Sequence, residues 1–488
     1  MTRSLHKLLE GIEFPPAEDI EVSGIAFDSR EVQDGNVFVA IPGVESDGHN
    51  YISQAIENGA VAVVAEHISE PVQVPAFIVN SSRLALSRMA ANWFDNPAKD
   101  LTVIGVTGTN GKTTVVHLLK SIFQSAGRQS GTIGTLGYSI GDEFYTTDLT
   151  TPDSLEIQRI LAEMVEAGAG IVAMEVSSHA LVLDRVADID FSTGIFTNLG
   201  RDHYDFHQTK EAYRAAKGLL FQELTEDGHA ILNFDSKEFD WFAQHTRAAI
   251  LSYSIDDERA DFYFENFYSD FNGSRGSVHT PDQAIGIETQ LLGRYNLLNI
   301  LSAITAAKVH GISDSAIKTG LQNIEMVPGR LEWIPLPEGS PGIFVDYAHT
   351  PDALESALRE LRFLKKETAE SGKIIVVFGC GGNRDKQKRP EMGEIAARYA
   401  DQVVVTSDNP RNEEPLQIIN EIREGIPGGD AVIEPDRELA IYKAIELAKP
   451  ADIILIAGKG HEDYQIIQGE KLPFHDKSVV LKVIEERK

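Results

Sequence analysis

The sequence predicts an α/β protein of three domains. The chain has 488 residues, and at roughly 150 residues per domain this length favours three domains over one. An apolar run at 101–106 precedes a Gly-rich turn and a helical stretch, which is the order of strand, phosphate loop and helix. In the last third of the chain, four apolar runs alternate with helical stretches, which is typical of a parallel sheet.

Composition and charge argue against several classes of protein. Lysine and arginine number 44 and aspartate and glutamate 74, so the formal net charge of −30 disfavours general binding to nucleic acid or anionic membranes. No apolar run approaches the roughly 20 residues of a membrane span, and the start lacks the apolar segment of a signal peptide. The single cysteine, Cys380, excludes an intrachain disulfide, and we expect it to be a small buried residue at a strand end. We therefore expect a cytoplasmic protein, with no nucleic-acid partner and no membrane insertion, and we expect a monomer.

The first block, residues 1–97, is predicted to be a small α/β domain that binds a substrate. Its predicted elements are strands at 22–30, 36–41, 60–65 and 76–79 and a helix at 52–58. Ser29 lies in the polar turn that ends the first of these strands. It is therefore either a plain turn residue or a contact to a ligand.

The central block, residues 98–328, begins with the predicted phosphate loop. The loop residues are Gly108, Thr109, Asn110, Gly111, Lys112, Thr113 and Thr114. The glycines let backbone N–H groups point at a polyphosphate, Lys112 can reach the β- and γ-phosphates, and the Thr113 hydroxyl can hold Mg²⁺. The full P-loop pattern has a further glycine where this chain has Val106, so only the shorter motif is present. The alternative interpretation is a surface turn that happens to contain a lysine.

Two further strands of this block end in polar residues. A strand at 171–175 ends at Glu175, and a strand at 193–198 leads to His203. Because the carboxyl ends of parallel strands share one edge of a sheet, Glu175 is a candidate metal ligand and His203 a candidate for metal or phosphate contact. His203 could also be an ordinary surface histidine. Ser177 or Ser178, just after Glu175, could form a helix N-cap, which does not exclude a role in a site.

Two helical stretches of the central block leave their polar residues open to more than one interpretation. In the helix predicted at 210–221, charge and spacing alone favour an ordinary solvated lysine at Lys217. Asn296 and Asn299 lie one turn apart, just before an apolar helix predicted at 300–309. They either contact an adenine or cap that helix.

The third block, residues 329–488, is predicted to be a doubly wound, Rossmann-like sheet. Its predicted strands are 343–349, 374–379, 402–406 and 453–457. Each strand leads into polar or charged residues, which predicts a ligand crevice at the carboxyl edge. Arg384, Arg411 and Glu462 each follow one of these strands, and two guanidiniums with one carboxylate suit a zwitterionic ligand. The alternative is an unconnected scatter of surface charges.

Taken together, these motifs resemble the Mur ligase family over nearly the whole chain. The segments that carry the resemblance are 28–30, 108–114, 175–179, 197–203, 213–217, 293–296, 328–332, 346–349, 408–411 and 457–462. The resemblance implies an ADP-forming ligase of peptidoglycan synthesis, and hence of cell shape and division, that uses ATP and Mg²⁺. ATP would phosphorylate the D-glutamate γ-carboxylate of UDP-N-acetylmuramoyl-L-alanyl-D-glutamate. The amine of meso-diaminopimelate would then displace phosphate from the acyl phosphate.

The resemblance also implies roles for individual residues. The catalytic set would be Lys112, Glu175, His203 and Lys217, with Thr113, Glu175 and His203 on the metal and Lys217 carbamylated to N6-carboxylysine. Contacts to the UDP-muramyl-peptide would be Ser29, Thr150, Thr151, Ser177 and Arg185. Beyond the phosphate loop, contacts to ATP would be Asn296, Arg330, Asp346 and His349. Contacts to diaminopimelate would be Arg384, Asp408, Asn409, Pro410, Arg411, Gly458 and Glu462.

The run 408–411 bears on the choice of amino acid. In the family this run accompanies meso-diaminopimelate, whose distal carboxylate needs Arg411, whereas lysine lacks that carboxylate. The chain departs from the family at Leu149, Leu183 and Gly200, where relatives often carry polar residues. The alternative enzymes are a lysine-adding ligase and a folylpolyglutamate-type synthetase.

A third interpretation is a nucleotide-responsive binding protein that has lost ligation. Such a protein would be expected to lack Lys112, Glu175 or His203, and all three are present. The sequence therefore favours an enzyme.

Overall fold

The protein is a mixed α/β molecule built on three main sheets, one from each successive part of the chain. The computed structural model describes residues 2–13, 18–43, 46–270, 273–324, 326–337, 339–367 and 372–486. In these residues no helix combines the length and the apolar character that crossing a membrane requires. The three-part α/β architecture predicted from the sequence is confirmed.

The N-terminal part contains a four-stranded parallel sheet. Its strands are Gly24–Ala26, Asn36–Val39, Ala62–Ala65 and Ala76–Ile78, and its helices are Leu5–Leu8, Ile52–Glu57 and Ser82–Trp93; Arg3–Ser4 pairs with Glu21–Val22, and Gly48–Tyr51 and Pro97–Asp100 are 3₁₀ turns. The strand expected at 22–30 is shorter, because the Asp28 carboxylate accepts the Arg30 N–H and turns the chain. Helix Ser82–Trp93 was not predicted, although Ser81 caps it and Leu86, Met89 and Trp93 are buried.

The central part contains an eleven-stranded sheet. In spatial order its strands are Glu143–Tyr145, Gly137–Ile140, Ser130–Gly134, Ile171–Glu175, Thr102–Thr107, Phe191–Phe196, His229–Asn233, Ala249–Ser254, Phe262–Asp270, Gly273–His279 and Ile285–Thr289. The middle strands run parallel, and the strands at the two edges form antiparallel hairpins. The strands that end at Thr107, Glu175 and Phe196 are neighbours, so the loops that leave these three strand ends meet at one edge.

Helices cover this sheet and position the phosphate loop. They are Lys112–Ser125, Ser154–Glu166, Ser178–Val182, Tyr204–His207, Lys210–Gln222, Phe239–Gln244, Arg294–Val309 and Asp314–Asn323. The first packs against the last two around Leu118, Ile122 and Ile304, which are fully buried. Helix Arg294–Val309 begins six residues before the predicted start, and its N-cap is Gly293. Asn296 and Asn299 therefore lie within its first two turns and do not cap it.

The C-terminal part is doubly wound, as predicted. Its strands, in spatial order, are Glu332–Ile334, Gly342–Asp346, Ile453–Ala457, Ile374–Phe378, Gln402–Val405 and Val432–Ile433, and all but the first run parallel. Its helices are Pro351–Glu367, Lys388–Tyr399, Pro415–Arg423, Arg437–Leu447 and Asp476–Glu486; Tyr464–Ile467 pairs with Glu470–Pro473, and Pro427–Gly429 is a 3₁₀ turn. The first three helices pack on one face of the sheet and the last two on the other. Cys380 is buried after a strand end, as expected.

Candidate functional site

The phosphate loop joins strand Thr102–Thr107 to helix Lys112–Ser125 and requires glycine at two positions. Gly108 has a φ of +148° and Gly111 a φ of +89°. A Cβ atom on Gly108 would lie 1.9 Å from the Thr197 hydroxyl oxygen, and one on Gly111 would lie 2.4 Å from Asn299 Oδ1. The neighbouring strand and helix Arg294–Val309 thus close on the loop, and a side chain at either glycine would push them apart.

Asn198 fixes the backbone of the loop from the neighbouring strand. Its Oδ1 accepts the Asn110 N–H at 3.0 Å, and its Nδ2 donates to the Asn110 carbonyl at 3.1 Å. The Asn198 carbonyl also accepts the Thr109 N–H at 2.9 Å. Sequence reasoning gave Asn198 no role of its own, although its place directly after a strand was a usable signal.

Two lysine amines meet at one carbonyl of this loop. Lys112 Nζ donates to the carbonyls of Gly108 at 2.9 Å and Thr109 at 3.0 Å, and Lys217 Nζ donates to the Gly108 carbonyl at 2.8 Å. Lys217 is only 1% exposed, and its amine lies 4.5 Å from the centre of the Tyr213 ring. The expectation of a solvated lysine at 217 is therefore wrong. Burial and the nearby Lys112 amine hold the pKa of Lys217 well below its usual value, and burial also lowers the pKa of Lys112.

Glu175 lies beside the same loop with its carboxylate fixed. The side chain is 1% exposed, and Thr135 donates to both oxygens, from its N–H at 2.9 Å and its hydroxyl at 3.1 Å. A Cβ atom on Gly134 would lie 2.4 Å from Glu175 Oε1, so a side chain there would displace the carboxylate. Within the described ranges no lysine or arginine forms an ion pair with Glu175. Its negative charge therefore remains available to a cation. Thr135 was not identified from the sequence.

His203 lies at the edge of the same cleft. Its backbone has a φ of +55°, and its Nε2 is 3.2 Å from an Asp202 carboxylate oxygen. Burial of the ring is the main cause that lowers the pKa of His203 to about 4, although 44% of the side chain remains exposed, and Asp202 opposes the shift. The imidazole is therefore neutral at pH 7 and can act as a ligand.

The predicted metal ligands are only a partial set of donors. These ligands are Thr113, Glu175 and His203. Thr113 is 2% exposed, and its hydroxyl accepts a hydrogen bond from Arg330 Nη2 at 3.0 Å. The part of the chain that the structure describes contains no cluster of three or more His, Cys, Asp or Glu side chains that could hold a metal. A metal at this edge would therefore need oxygen ligands from a substrate as well as from Glu175.

A cavity of about 340 Å³ lies next to the phosphate loop, between the central and C-terminal parts. The predicted contacts that line it are Asn110, Gly111, Thr114, Arg330 and Asp346, together with Asn299. Burial raises the pKa of Asp346 to about 6, although the nearby Arg330 guanidinium opposes this. The cavity is of a size that can hold a nucleoside.

Two of the four nucleotide contacts predicted outside the phosphate loop do not line this cavity. Asn296 lies beneath it, where its Nδ2 donates to the Leu292 carbonyl at 2.7 Å and its Oδ1 accepts from Asn299 at 3.1 Å. His349 lies to one side, with its Nδ1 2.8 Å from the Tyr347 carbonyl. Asn296 thus supports Asn299, which faces the cavity.

Four residues predicted to contact the muramyl-peptide gather at the end of strand Ile171–Glu175. The Thr151 hydroxyl donates to the Glu175 carbonyl at 2.9 Å and accepts the Ser177 N–H at 3.0 Å. Arg185 Nη1 donates to the Thr151 carbonyl at 2.9 Å, and the Thr150 hydroxyl lies 3.1 Å from that of Thr135. The Ser177 hydroxyl also accepts the Ala180 N–H at 3.1 Å, so the N-cap interpretation of Ser177 is confirmed.

A larger cavity, of about 650 Å³, lies between this cluster and the N-terminal sheet. Ser29 and Arg185 both line it, together with Arg30, Arg83 and Leu183. Ser29 is buried, and its hydroxyl donates to Gln54 Oε1 at 3.1 Å. The cavity therefore joins the predicted UDP contact to the predicted peptide contacts and offers three guanidiniums to an anion.

The residues predicted to bind diaminopimelate rest on a buried lysine. Lys459 is 0% exposed and donates to Glu462 Oε2 at 2.9 Å and to Asn409 Oδ1 at 3.1 Å. Asn409 Nδ2 donates to the same Glu462 oxygen at 2.8 Å. One oxygen of Glu462 is thus held by two donors. Sequence reasoning missed Lys459, whose only signal was its place beside Glu462 in the run 457–462.

Arg384 and Arg411 lie together beside this group. A Cβ atom on Gly381 would lie 2.8 Å from Arg411 Nη1 and 3.7 Å from Arg384 Cγ. Arg411 has a φ of +52° and donates to the Gly382 carbonyl at 2.9 Å. Burial and then Arg384 lower the pKa of Arg411, while Asp408 and Glu462 oppose the shift, so the charges act on one another at short range. They are not an unconnected scatter on the surface.

Asp408 and Pro410 complete the predicted pocket at its floor. Asp408 is buried, and among the described residues its Oδ2 has no hydrogen-bond partner. A Cβ atom on Gly458 would lie 2.4 Å from that oxygen, and one on Gly382 would lie 1.9 Å from the Pro410 carbonyl oxygen. Glycine at both positions lets the loops approach closely, and the unpaired Asp408 oxygen is suited to a donor on a ligand.

A chain of contacts connects the phosphate loop with this pocket. Arg330 donates to the Thr113 hydroxyl, and its guanidinium carbon lies 4.9 Å from the centre of the Tyr347 ring. The Tyr347 ring centre is in turn 5.1 Å from that of His461, the residue before Glu462. The two groups of residues are therefore linked by side-chain contacts that run from the central part into the C-terminal part.

Comparison with known families covers most of the chain. The catalytic domain of the Mur ligase family matches residues 21–93, the Mur ligase middle domain matches 106–307, and the Mur ligase glutamate ligase domain matches 329–460. These matches correspond to the three main sheets described above.

Individual relatives match over nearly their full length. A protein of Halalkalibacterium halodurans named UDP-N-acetylmuramoyl-L-alanyl-D-glutamate--2,6-diaminopimelate ligase is 44% identical over 470 residues, 96% of this chain and 95% of the relative. One of Aquifex aeolicus with the same name is 44% identical over 95% of this chain and 94% of the relative. A solved structure with that name matches with a TM-score of 0.70 and 33% identity over 100% of this chain and 99% of its own. MurF ligase from Thermotoga maritima in complex with ADP matches in fold alone, at 19% identity and a TM-score of 0.64 over 96% and 99%. The chain therefore belongs to the Mur ligase family.

Proposed function

We propose that this chain is an ATP-dependent, ADP-forming ligase that joins meso-diaminopimelate to UDP-N-acetylmuramoyl-L-alanyl-D-glutamate in peptidoglycan synthesis. The observation that carries the proposal is a chain of contacts between two charged sites. The phosphate loop with Lys217 and Glu175, which we call the phosphate cradle, is linked through Arg330, Tyr347 and His461 to a pocket of two arginines and two carboxylates. The names of the relatives support the same activity. In this proposal residues 1–97 bind the UDP substrate, 98–328 bind ATP and 329–488 bind the amino acid.

On the phosphate side, Lys112 is poised to exchange partners. Its amine is held by the carbonyls of Gly108 and Thr109, and a triphosphate would replace them with anionic oxygens. Phosphoryl transfer depends mainly on positioning and on neutralising charge on the transferred group. The N–H groups of the loop and the Lys112 amine supply both without a strong base.

The residues around the cradle fit Mg²⁺. Glu175 offers a carboxylate that no cation pairs with in the described part of the chain, and Thr113 and neutral His203 offer further donors. Bound Mg²⁺ would neutralise phosphate charge. Burial lowers the pKa of the Lys217 amine, which favours the neutral form that can take up CO₂ as a carbamate. The carbamate would add a negative charge beside the cradle and stabilise a cation there.

The carboxylate substrate would lie between the two cavities. Its UDP end would occupy the cavity at Ser29, and its peptide would follow Thr150, Thr151, Ser177 and Arg185 towards Glu175. This path brings the terminal D-glutamate to the cradle, where the γ-carboxylate oxygen attacks the terminal phosphorus of ATP and ADP leaves. The amine then attacks the acyl carbon, and the bond between that carbon and the phosphate oxygen breaks. Inorganic phosphate leaves with the electron pair of this bond, and the amine nitrogen loses a proton.

The amino-acid pocket favours a ligand with a carboxylate at its far end. Arg384 and Arg411 would hold that carboxylate, and Glu462 and Asp408 would hold the ammonium beside it. Lysine has no carboxylate there and would leave two guanidiniums without an anion, which is costly in a partly buried site. We also propose that the enzyme acts as a monomer in the cytoplasm.

The test is the release of ADP and phosphate by the full-length protein with UDP-N-acetylmuramoyl-L-alanyl-D-glutamate and one amine at a time. We expect release with meso-diaminopimelate to exceed release with L-lysine or L-glutamate, and mass spectrometry to find the tripeptide product. Preference for lysine would favour a lysine-adding ligase. Release with folate and glutamate would favour a folylpolyglutamate-type synthetase, and nucleotide binding without release would indicate a binding protein.

A further inference from the structure

A short segment after strand Phe191–Phe196 contacts both the phosphate loop and the C-terminal part. The Gly200 N–H donates to the Thr109 hydroxyl at 2.9 Å, and the Arg201 N–H donates to Asp352 Oδ2 at 2.7 Å. Asp352 lies in the first turn of helix Pro351–Glu367. A Cβ atom on Gly200 would lie 2.2 Å from Asp352 Oδ2, so a side chain there would displace this carboxylate. The phosphate loop and the C-terminal helix are thus joined through two consecutive residues.

The Arg201 side chain reaches further into the C-terminal part. Its Nη2 donates to Gln387 Oε1 at 2.9 Å and lies 3.4 Å from Asp385 Oδ2, and its Nη1 lies 3.3 Å from Glu391 Oε2. Asp385 is the residue directly after Arg384, which we assign to the carboxylate of the amino acid. Arg201 therefore holds the loop at residues 383–387, which carries Arg384.

The other end of this loop is held from within the C-terminal part. The Asn383 N–H donates to Glu413 Oε1 at 2.6 Å, and Glu413 pairs with the buried Arg389 at 2.9 Å. One anchor of the loop thus stays in its own domain, whereas the Arg201 anchor belongs to the central part. If the two parts move relative to each other, only the Arg201 anchor changes.

The chemistry of these contacts suits an anchor that forms and breaks. A guanidinium has five donors in a planar fork and can contact three acceptors at once, which a lysine amine at the same place cannot reproduce. The Arg201 side chain is 30% exposed, and partly exposed ion pairs are individually weak. The contacts can therefore be lost without leaving a deeply buried charge.

We infer that Arg201 is a positioning residue that couples the nucleotide site to the amino-acid pocket by holding the loop at 383–387. A nucleotide that orders the phosphate loop would fix Gly200 through Thr109, and Arg201 would then fix the loop that carries Arg384. The link to amino-acid affinity rests on the proposed function, whereas the link to the loop does not.

The kinetic test compares Arg201→Ala with the wild type in the full-length protein. We expect the KM for meso-diaminopimelate at saturating ATP to rise by about 5- to 150-fold, the usual range of coupling between two sites, while the Kd for ATP without amino acid changes less than about twofold. Arg201→Lys should fall between the two. Arg259→Ala is the control, because Arg259 pairs with Asp257 inside its own loop, and it should match the wild type. An equal rise in the Kd for ATP measured without amino acid would overturn the inference.

A second test needs no amino acid and separates this inference from the proposed function. Hydrogen exchange is measured at 383–387 with and without ADP. We expect ADP to slow exchange there in the wild type and not in Arg201→Ala, while both proteins keep ADP protection of the phosphate loop. Equal protection of 383–387 in both proteins would show the inference to be wrong, whichever amine the enzyme uses. If Arg201→Ala does not fold, Gln387→Ala removes the shortest side-chain contact from the other side and should weaken the effect of ADP in the same assay.

Discussion

The phosphate cradle and the amino-acid pocket use buried charge in opposite ways. In the cradle, Lys112 and Lys217 both donate to the carbonyl of Gly108, and in the described residues neither forms an ion pair. In the pocket, fully buried Lys459 pairs with Glu462 at 2.9 Å. The lysines of the cradle lack an anion, whereas the lysine of the pocket already has one.

The supports of the pocket show the same pattern. Arg389 pairs with Glu413 at 2.9 Å, and Arg437 pairs with Asp476 at 2.8 Å with both side chains fully buried. The pocket is therefore preorganised by internal pairs that fix its shape, and the cradle is completed by the ligand that binds to it. A substitution in the cradle should abolish the chemistry, and one in the pocket should mainly change affinity for the amino acid.

The largest effect should come from Lys217→Ala in the cradle. Without the amine there is no carbamate, so we expect the rate of phosphate release to fall by at least about 1000-fold. Added bicarbonate should not restore the rate. Lys217→Arg should be equally inactive, because a guanidinium stays protonated and does not take up CO₂.

The control for this prediction is Lys210→Ala, on the same helix. Lys210 is half exposed and pairs with Glu238 at 2.6 Å, so its loss should leave the rate close to that of the wild type. An active Lys217→Ala protein would rule out a catalytic role for the carbamate. Lys217 would then not distinguish the cradle from the pocket, where substitutions mainly change affinity.

On the pocket side, Arg411→Ala should separate the amino acid from the nucleotide. Arg411 is partly buried and hydrogen-bonded, and removing such a charge from a site costs about 2 kcal/mol or more. We therefore expect kcat/KM for meso-diaminopimelate to fall at least about 30-fold. The Kd for ATP should not change. Arg423→Ala, an exposed arginine on helix Pro415–Arg423, is the control. Normal use of diaminopimelate by the Arg411 variant would mean that the pocket is wrongly assigned.

A smaller effect should result from Lys459→Met, which removes a support and no predicted substrate contact. Glu462 and Asn409 would each lose a donor, so we expect the KM for meso-diaminopimelate to rise about tenfold, with little change in the KM for ATP. Lys471→Met is a matched control, because both lysine amines lie near the Tyr464 ring, at 5.6 and 5.0 Å, but Lys471 is exposed. An unchanged KM would show that the internal pair does not shape the pocket.

The same comparison explains how much the sequence could predict. The phosphate loop is local, because strand, glycines and lysine succeed one another within the single segment 101–124, and topology rules bring strand ends such as Glu175 and Glu462 to one edge of their sheets. Lys217 depends instead on a contact to Gly108, 109 residues earlier, and no pattern within its helix reveals that its amine is buried. Thr135 and Lys459 escaped notice because each acts through another side chain and not on a substrate.

The smallest effect concerns Asp346, a carboxylate of the nucleotide cavity that has no lysine or arginine bound to it among the described residues. Burial raises its pKa to about 6 from an unfolded value near 3.8, so the folded state binds the proton more tightly. The protonated carboxyl therefore adds at most about 3 kcal/mol to the free energy of unfolding. This contribution is fully present below pH 4 and is lost as the pH rises through 6. Asp346→Asn keeps an acceptor for the Leu331 N–H but does not titrate. Its Tm relative to the wild type should therefore rise by a few degrees between pH 5 and pH 7.5, whereas that of Asp256→Asn, at an exposed site, should not. Parallel Tm curves for Asp346→Asn and the wild type would mean that ionising Asp346 does not destabilise the folded protein.

The nucleotide cavity would then hold its charge as well as the amino-acid pocket does. The contrast between unpaired and internally paired charge would be limited to the phosphate loop.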